Sequence, residues 1–235
     1  MMDFTAGEIV PMYKPYGWTS FQIVSKVRYI LSRHYGIKRF KVGHAGTLDP
    51  LATGVLLLCT GKATKRIEEL QSHTKEYVAG IRLGATTPSF DMEHPVNATY
   101  PYEHITEEMV LAALEKFTGT IEQRPPLFSA CKVDGERAYK LARDGSEIEL
   151  TPKTIKIDNI ELLSYNLPDI TIRVTCGKGT YIRSLARDLG EALNSGAYLT
   201  SLERTRIGEV KAEDCIKPED FQTWLEEATK TDKAL

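Results

Sequence analysis

Long hydrophobic runs are missing from this chain. Its longest strongly apolar stretch, Val55 to Cys59, falls far short of the ~20 residues that span a bilayer. The amino terminus, Met1-Met2-Asp3-Phe4, lacks a basic head followed by an apolar core, so no secretory signal is read and the cytoplasm is the expected location. Cysteine is scarce. The four present, Cys59, Cys131, Cys176 and Cys215, form no Cys-x-x-Cys pair and have no histidine at zinc-finger spacing, so reduced thiols packed as small apolar groups are expected. The five histidines, His34, His44, His73, His94 and His104, include no His-Glu-x-x-His pattern. No ligand set for a metal is visible, and chemistry without metal or cofactor is expected. Two Gly-Lys pairs, Gly61-Lys62 and Gly177-Lys178, invite a phosphate-loop reading. That reading fails, because Leu56 and Ile172 stand where the leading glycine belongs, and Ala63 and Gly179 where Ser or Thr belongs.

Acid is absent from one long segment. Between Ile9 and Leu48 there is no Asp or Glu, while Lys14, Lys26, Arg28, Arg33, Lys38, Arg39 and Lys41 all fall there. The carboxyl-terminal end leans the other way, with Glu213, Asp214, Glu219, Asp220, Glu226, Glu227 and Asp232 against three lysines. The net charge of −2 excludes a uniformly basic nucleic-acid binder. The asymmetry leaves two readings, one basic face that meets phosphates or a plain solvated surface.

What is present is an ordinary globular composition, 42% hydrophobic and 26% charged over 235 residues, enough to bury a core without staples. Thr19-Ser20-Phe21-Gln22 fits a capping box, Ile23, Val27, Ile30 and Leu31 recur at helical spacing, and Gly36 is placed to stop that helix. A compact loop from Gly43 to Pro50 precedes an apolar strand at 55–59. A short helix over 63–70 and an alternating strand over 77–83 follow, then a Gly/Thr/Pro turn region to Asp91. Thr106 caps a second helix that Gly119 ends. Residues 123–137 read as a long loop, with a short helix over 139–143 beyond it. Strands are expected over 155–163, 170–176 and 197–205, a third helix near Thr180, and a terminal acidic helix opened by Pro218. Strands and helices mix without strict alternation and no interdomain linker is visible. The pattern favours one α+β domain over residues 1–235.

Asp49 is the carboxylate that stands out. It lies in a glycine-containing loop, before a proline, at the foot of an apolar strand. Glycines allow close backbone approach to a ligand and proline fixes the local path. Locally an Asp-Pro turn explains the same residues. The longer pattern goes further. Gly43-His44-Ala45-Gly46-Thr47-Leu48-Asp49-Pro50-Leu51-Ala52-Thr53-Gly54-Val55-Leu56 resembles the catalytic signature of the TruB family of tRNA pseudouridine synthases. Four further segments resemble that family in the same order: Lys14 to Ser20, Lys75-Glu76-Tyr77 leading to Arg82-Leu83-Gly84, Gln123 to Gly135, and Gly177 to Arg183.

The resemblance implies the pseudouridine synthase fold, a mixed, mainly antiparallel sheet flanked by helices. It implies isomerisation of a uridine, that at position 55 in the TΨC loop of tRNA, to pseudouridine. Asp49 matches the catalytic aspartate. Tyr77 matches a tyrosine that stacks on the target base, and Arg183 an arginine that pairs with the catalytic carboxylate. His44 matches a histidine that helps prise out the nucleotide, and Tyr181 and Leu202 match residues lining the base pocket. Residues 123–151 match a loop that clamps the RNA arm. Seen alone, Tyr77 reads as strand core, Arg183 as a surface ion pair and His44 as a polar loop residue. Lys14, Lys38, Arg39 and Lys41 are the expected contacts to the RNA backbone. The tRNA is the expected partner, with no metal and no cofactor.

Two departures stand beside the match. Family members often carry a separate carboxyl-terminal RNA-binding domain of the PUA type, and here only an acidic, helical tail of about 25 residues follows Val210. Phe128 and Cys131 replace Tyr and Leu in the clamp segment. The competing function is a tRNA-binding or chaperone protein with secondary isomerase activity, against which the intact Asp49, Tyr77 and Arg183 argue. A nucleoside hydrolase is a third, weaker class.

Overall fold

The computed structural model describes residues 2–128 and 150–230, and the backbone alone at 132–133 and 136–137. Most of the expected clamp, and the helix expected over 139–143, lie outside the described residues. The chain divides into two compact units, one formed by Met1–Lys75 with Glu203–Leu235 and the other by Glu76–Leu202.

In chain order the first unit opens with β1 (Ile9–Lys14), α1 (Ser20–Tyr35), β2 (Val42–His44), β3 (Thr53–Thr60), a 3₁₀ turn over Gly61–Arg66 and α2 (Ile67–Ser72). The second unit holds β4 (Lys75–Leu83, its first residue still in the first unit), β5 (Ala85–Thr86), β6 (Ala98–Thr99), α3 (Glu107–Lys116) and β7 (Gly119–Gln123). After the two-residue strands β8 (Lys132–Val133) and β9 (Glu136–Arg137) it continues with β10 (Lys153–Asn166), β11 (Asp169–Cys176) and α4 (Ile182–Ala192). Strand β12 (Ala197–Ile207) carries the chain back, and β13 (Val210–Lys211) and α5 (Phe221–Thr229) complete the first unit.

Helix α1 forms as its ends require. Gln22 N–H donates to Thr19 Oγ1 at 3.1 Å while Thr19 N–H donates to Gln22 Oε1 at 2.7 Å, and Gly36 closes the helix with a left-handed φ of 67°. The strand before it, β1, was not legible as one, because it is short and carries Pro11. The proline is tolerated because β1 ends the strand order and only β3 pairs with it along its length. β3 is buried on both faces. Leu56 and Leu58 join Val10, Met12, Ile23, Val27, Phe221 and Leu225 in one cluster, and Val55, Leu57 and Cys59 join Ala63, Leu70 and Ile207 in another. Each fully buried aliphatic side chain stabilises the unit by ~1.5–3 kcal/mol. β1 and β2 pair antiparallel with β3, and β12 pairs parallel with it at Glu203↔Thr53 and Arg204↔Gly54. The terminal helix begins at Phe221, not at Pro218. Lys217 and Asp220 close a turn through Asp220 N–H to Lys217 O at 3.1 Å, and Pro218 occupies the turn position its fixed φ suits.

In the second unit the strand order is β4-β11-β10-β7, with the first part of β12 beside β4. β11 alternates as expected, Ile170, Ile172, Val174 and Cys176 all being buried. α3 packs on β10 and α4 through Val110, Ala113 and Leu114. The class is α+β, with a mixed, mostly antiparallel sheet arrangement flanked by helices. Among the described residues no helix is long and apolar enough to cross a membrane.

Candidate active site

The expected site residues fall in both units. In the first, the loop from β2 to β3 is held at carbonyl after carbonyl. Arg204, on β12, is 2% exposed, and its Nε donates to Val55 O at 2.7 Å and its Nη2 to Gly46 O at 3.2 Å. Ser20, the first residue of α1, accepts from Leu48 N–H at 2.9 Å and donates to Leu48 O at 3.1 Å. Gly17 N–H donates to Pro50 O at 2.9 Å. Lys14 Nζ donates to Pro15 O at 3.0 Å, Trp18 O at 2.6 Å and Pro50 O at 3.1 Å. Ala52 N–H closes the turn onto Asp49 O at 3.1 Å. The backbone around Asp49 is thus fixed on both sides while Asp49 itself is only half-buried.

Two glycines of the motif are required, Gly54 by both packing and backbone and Gly46 by its left-handed backbone. Gly54 has φ of 102°, and a Cβ there would lie 2.2 Å from Arg204 O. Gly46, at φ of 106°, faces the Arg204 guanidinium, with a would-be Cβ 3.6 Å from Nη1.

Lys14 corrects an expectation. It is fully buried and its ammonium is bound to three carbonyls, so it is a structural cation of the loop and not a phosphate contact. Burial pushes its pKa down to about 8, with the Arg204 charge adding to that and the Asp49 charge opposing it. His44, at the end of β2, is held below its ordinary imidazole range, first by burial and then by Arg204, against a hydrogen bond to the Gly46 backbone. It is therefore neutral at neutral pH. Lys38, Arg39 and Lys41 are exposed on the connection between α1 and β2.

In the second unit, Tyr77 occupies a buried position of β4, in step with Ala79 and Ile81. Tyr181 precedes α4 and is fixed by Gln123, itself 1% exposed: Tyr181 N–H donates to Gln123 Oε1 at 2.8 Å and Gln123 Nε2 donates to Tyr181 O at 3.1 Å. Arg183 lies in the first turn of α4 and is 4% exposed. Its Nη1 donates to Ser89 O at 3.1 Å, its Nη2 donates to Phe128 O at 2.8 Å, and Asp91 Oδ2 lies 3.7 Å from Nη1. Leu202 is half-buried on β12. Tyr181 and Arg183 are thus brought together, with Arg183 inside a buried charge pair and not on the surface.

Sequence reasoning missed Arg204, Gln123, Ser20 and Asp91. An arginine inside an otherwise strand-like run and an acid closing a Thr/Pro turn were the available signals. Nothing in local spacing says that either side chain turns inward.

A partly buried carboxylate on a rigid loop is suited to nucleophilic chemistry. Solved structures share the fold. The chain matches the crystal structure of a Cbf5-Nop10-Gar1 complex with a TM-score of 0.71 and 31% identity, over 97% of this chain and 58% of that one. It matches the structure of an H/ACA RNP bound to a substrate RNA containing 2′-deoxyuridine with a TM-score of 0.67 and 28% identity, over 97% and 57%. It spans a little over half of those chains. The fold is that of the pseudouridine synthases.

Two family models divide the sequence between them. The TruB family pseudouridylate synthase N-terminal domain matches residues 32–182, and the tRNA pseudouridylate synthase B C-terminal domain matches residues 183–235. The chain is 64% identical to tRNA pseudouridine synthase B of Phocaeicola vulgatus over 96% of both sequences. It is 48% identical to the protein of that name from Flavobacterium johnsoniae over 95% of this chain and 98% of that one. The chain belongs to the TruB family of pseudouridylate synthases, which are isomerases.

Proposed function

We propose that this protein converts the uridine at position 55, in the TΨC loop of tRNA, to pseudouridine, with the Asp49 carboxylate as nucleophile. The observation that supports this reading is the fixed backbone and half-buried side chain of Asp49. A carboxylate is ionised at neutral pH and attacks best when its position is set beforehand. Asp49 adds to the flipped-out nucleotide and the bond from N1 to the sugar carbon opens. The uracil turns, its C5 bonds to the same sugar carbon, and the bond to Asp49 breaks so that the carboxylate is released. C5 loses a proton and N1 gains one, so the reaction needs no co-reactant. Tyr77 gives the extruded base a π face, Tyr181 and Leu202 line its pocket, and His44 helps to displace the nucleotide. Arg183 pairs with Asp49 and holds its charge. The work is that of a cytoplasmic enzyme on tRNA.

The test is the nucleoside composition of uridine-containing tRNA after incubation with the pure protein. Pseudouridine at that one position, with no free uracil, is expected. Free uracil would point to a hydrolase, and tight binding without pseudouridine to a tRNA-binding protein.

Two predictions arise here. Among the described residues no group of three or more His, Cys, Asp or Glu could hold a metal. Dialysis against excess EDTA should therefore leave the rate on a TΨC stem-loop unchanged. A loss that only a transition metal restores would contradict this. The second concerns the exposed cations of the connection from α1 to β2. Each cation that neutralises a phosphate of a single strand steepens the salt dependence of log affinity by ~0.7, or ~0.9 on a duplex. Reversing Lys38, Arg39 and Lys41 to Glu should weaken stem-loop binding and flatten that slope by about 2 units, while the rate at saturating RNA changes by less than about threefold. Unchanged affinity and slope would mean that these residues are only solvated surface.

A further inference from the structure

His94 belongs to no motif of the sequence, and its surroundings are unusual. Its Nδ1 is enclosed and has no hydrogen-bond partner among the described residues. An enclosed nitrogen of that kind is a cost that a hydrocarbon side chain would avoid. Its ring packs on that of Phe128, with the ring centres 4.7 Å apart and the planes tilted by 37°.

Phe128 belongs to no helix or regular strand, yet its carbonyl accepts from the Arg183 guanidinium. The turn that carries His94 supplies two more partners of Arg183. Ser89 gives a second carbonyl and Asp91 a carboxylate. That turn is stiff. Asp91 Oδ1 accepts from Glu93 N–H at 2.9 Å, Thr87 Oγ1 donates to Asp91 O at 2.6 Å, and Leu199 N–H donates to Phe90 O at 3.0 Å. Phe90 holds φ of 61°, a left-handed conformation rare for a bulky residue, with the Arg187 guanidinium 5.0 Å from the centre of its ring. His94 is thus a rigidly mounted ring on one side of Phe128, and Phe128 O is a fixed point for Arg183.

We propose that His94 and Phe128 are positioning residues. The packing of their rings fixes the Phe128 carbonyl, and that carbonyl, with Ser89 O and Asp91, sets the direction of the Arg183 guanidinium. The inference rests on the proposed role of Arg183 in uridine isomerisation. It follows that the aromatic face at position 94 matters and the imidazole nitrogens do not.

The test uses His94→Ala, Phe128→Ala, the double variant and His94→Phe in the full chain. Three quantities are measured for each: single-turnover pseudouridine formation at saturating tRNA, tRNA affinity, and thermal melting. Each alanine variant should slow the chemical step about ten- to hundredfold, since small misplacements of an oriented group have effects of that size. Affinity should stay within about threefold, the double variant should be no slower than the slower single, and His94→Phe should regain a rate within about threefold of wild type. His94→Phe should also melt no lower than wild type, which separates lost positioning from lost folding. Unchanged rates in the single variants, multiplied effects in the double, or a His94→Phe variant as slow as His94→Ala would each overturn the proposal. If wild-type protein left tRNA uridine unchanged, the proposed function would fail instead. Melting of the same variants would then judge the packing: non-additive losses support it, and additive losses overturn it.

Discussion

Asp49→Asn should abolish turnover while leaving the protein folded and able to bind tRNA. The substitution keeps the shape of the side chain and removes its charge and nucleophilicity. The loop that presents it is fixed by partners that do not involve the carboxylate: Arg204 on Gly46 O and Val55 O, Ser20 on Leu48, and Gly17 and Lys14 on Pro50 O. The geometry should therefore survive. Loss of a covalent nucleophile typically costs on the order of 10⁴-fold or more in rate. Affinity should stay within about threefold, because affinity for nucleic acid comes mainly from cations that meet phosphates, which this substitution leaves in place. Pseudouridine formation and tRNA binding should be measured on the same preparation. A residual rate within about tenfold of wild type would remove Asp49 from the chemistry.

The second large effect is expected at Lys14, and it falls on stability. Lys14→Met keeps the length of the side chain and deletes three charge-assisted hydrogen bonds, those to the Pro15, Trp18 and Pro50 carbonyls, of which Pro50 O still accepts from Gly17 N–H. The buried ammonium also carries a desolvation cost, which its removal refunds. Hydrogen bonds to charged groups contribute about 1.5–3 kcal/mol each and compensation is partial, so a net loss of about 3–5 kcal/mol is expected. For a chain of this size that lowers Tm by roughly 6–20 °C. Activity should fall as well, through a loosened Asp49 loop. The salt dependence of tRNA binding should keep its slope, because a buried cation releases no counterion from RNA. An unchanged Tm with a flatter salt slope would restore Lys14 to the phosphate-contacting set.

Position 14 shows where sequence reading stops. A lysine in an acid-free run looks like its neighbours Lys26, Lys38 and Lys41, and Lys38 and Lys41 are indeed exposed. Lys14 differs because it ends the edge strand β1, paired with Gly54, and three carbonyls from two chain segments converge on its ammonium. Read locally, Arg183 looks like a surface ion pair, and only the fold buries it against Ser89 O, Asp91 and Phe128 O. Strand β1 was lost to Pro11, whose effect depends on whether the strand is central or at an edge.

The local signals carried what depends on neighbours along the chain. Thr19 and Gln22 cap α1, Gly36 ends it, β11 alternates, and the Gly43–Leu56 run names the family, because caps, periodicity and motifs are written in residues a few positions apart. Only the tertiary structure decided which polar side chains are interior. Arg204 reaches back 158 positions to Gly46, Gln123 reaches 58 to Tyr181, and Arg183 reaches 94 to Ser89. A buried charge must find partners or forfeit its solvation, and those partners are chosen by chain segments that meet only in the folded protein.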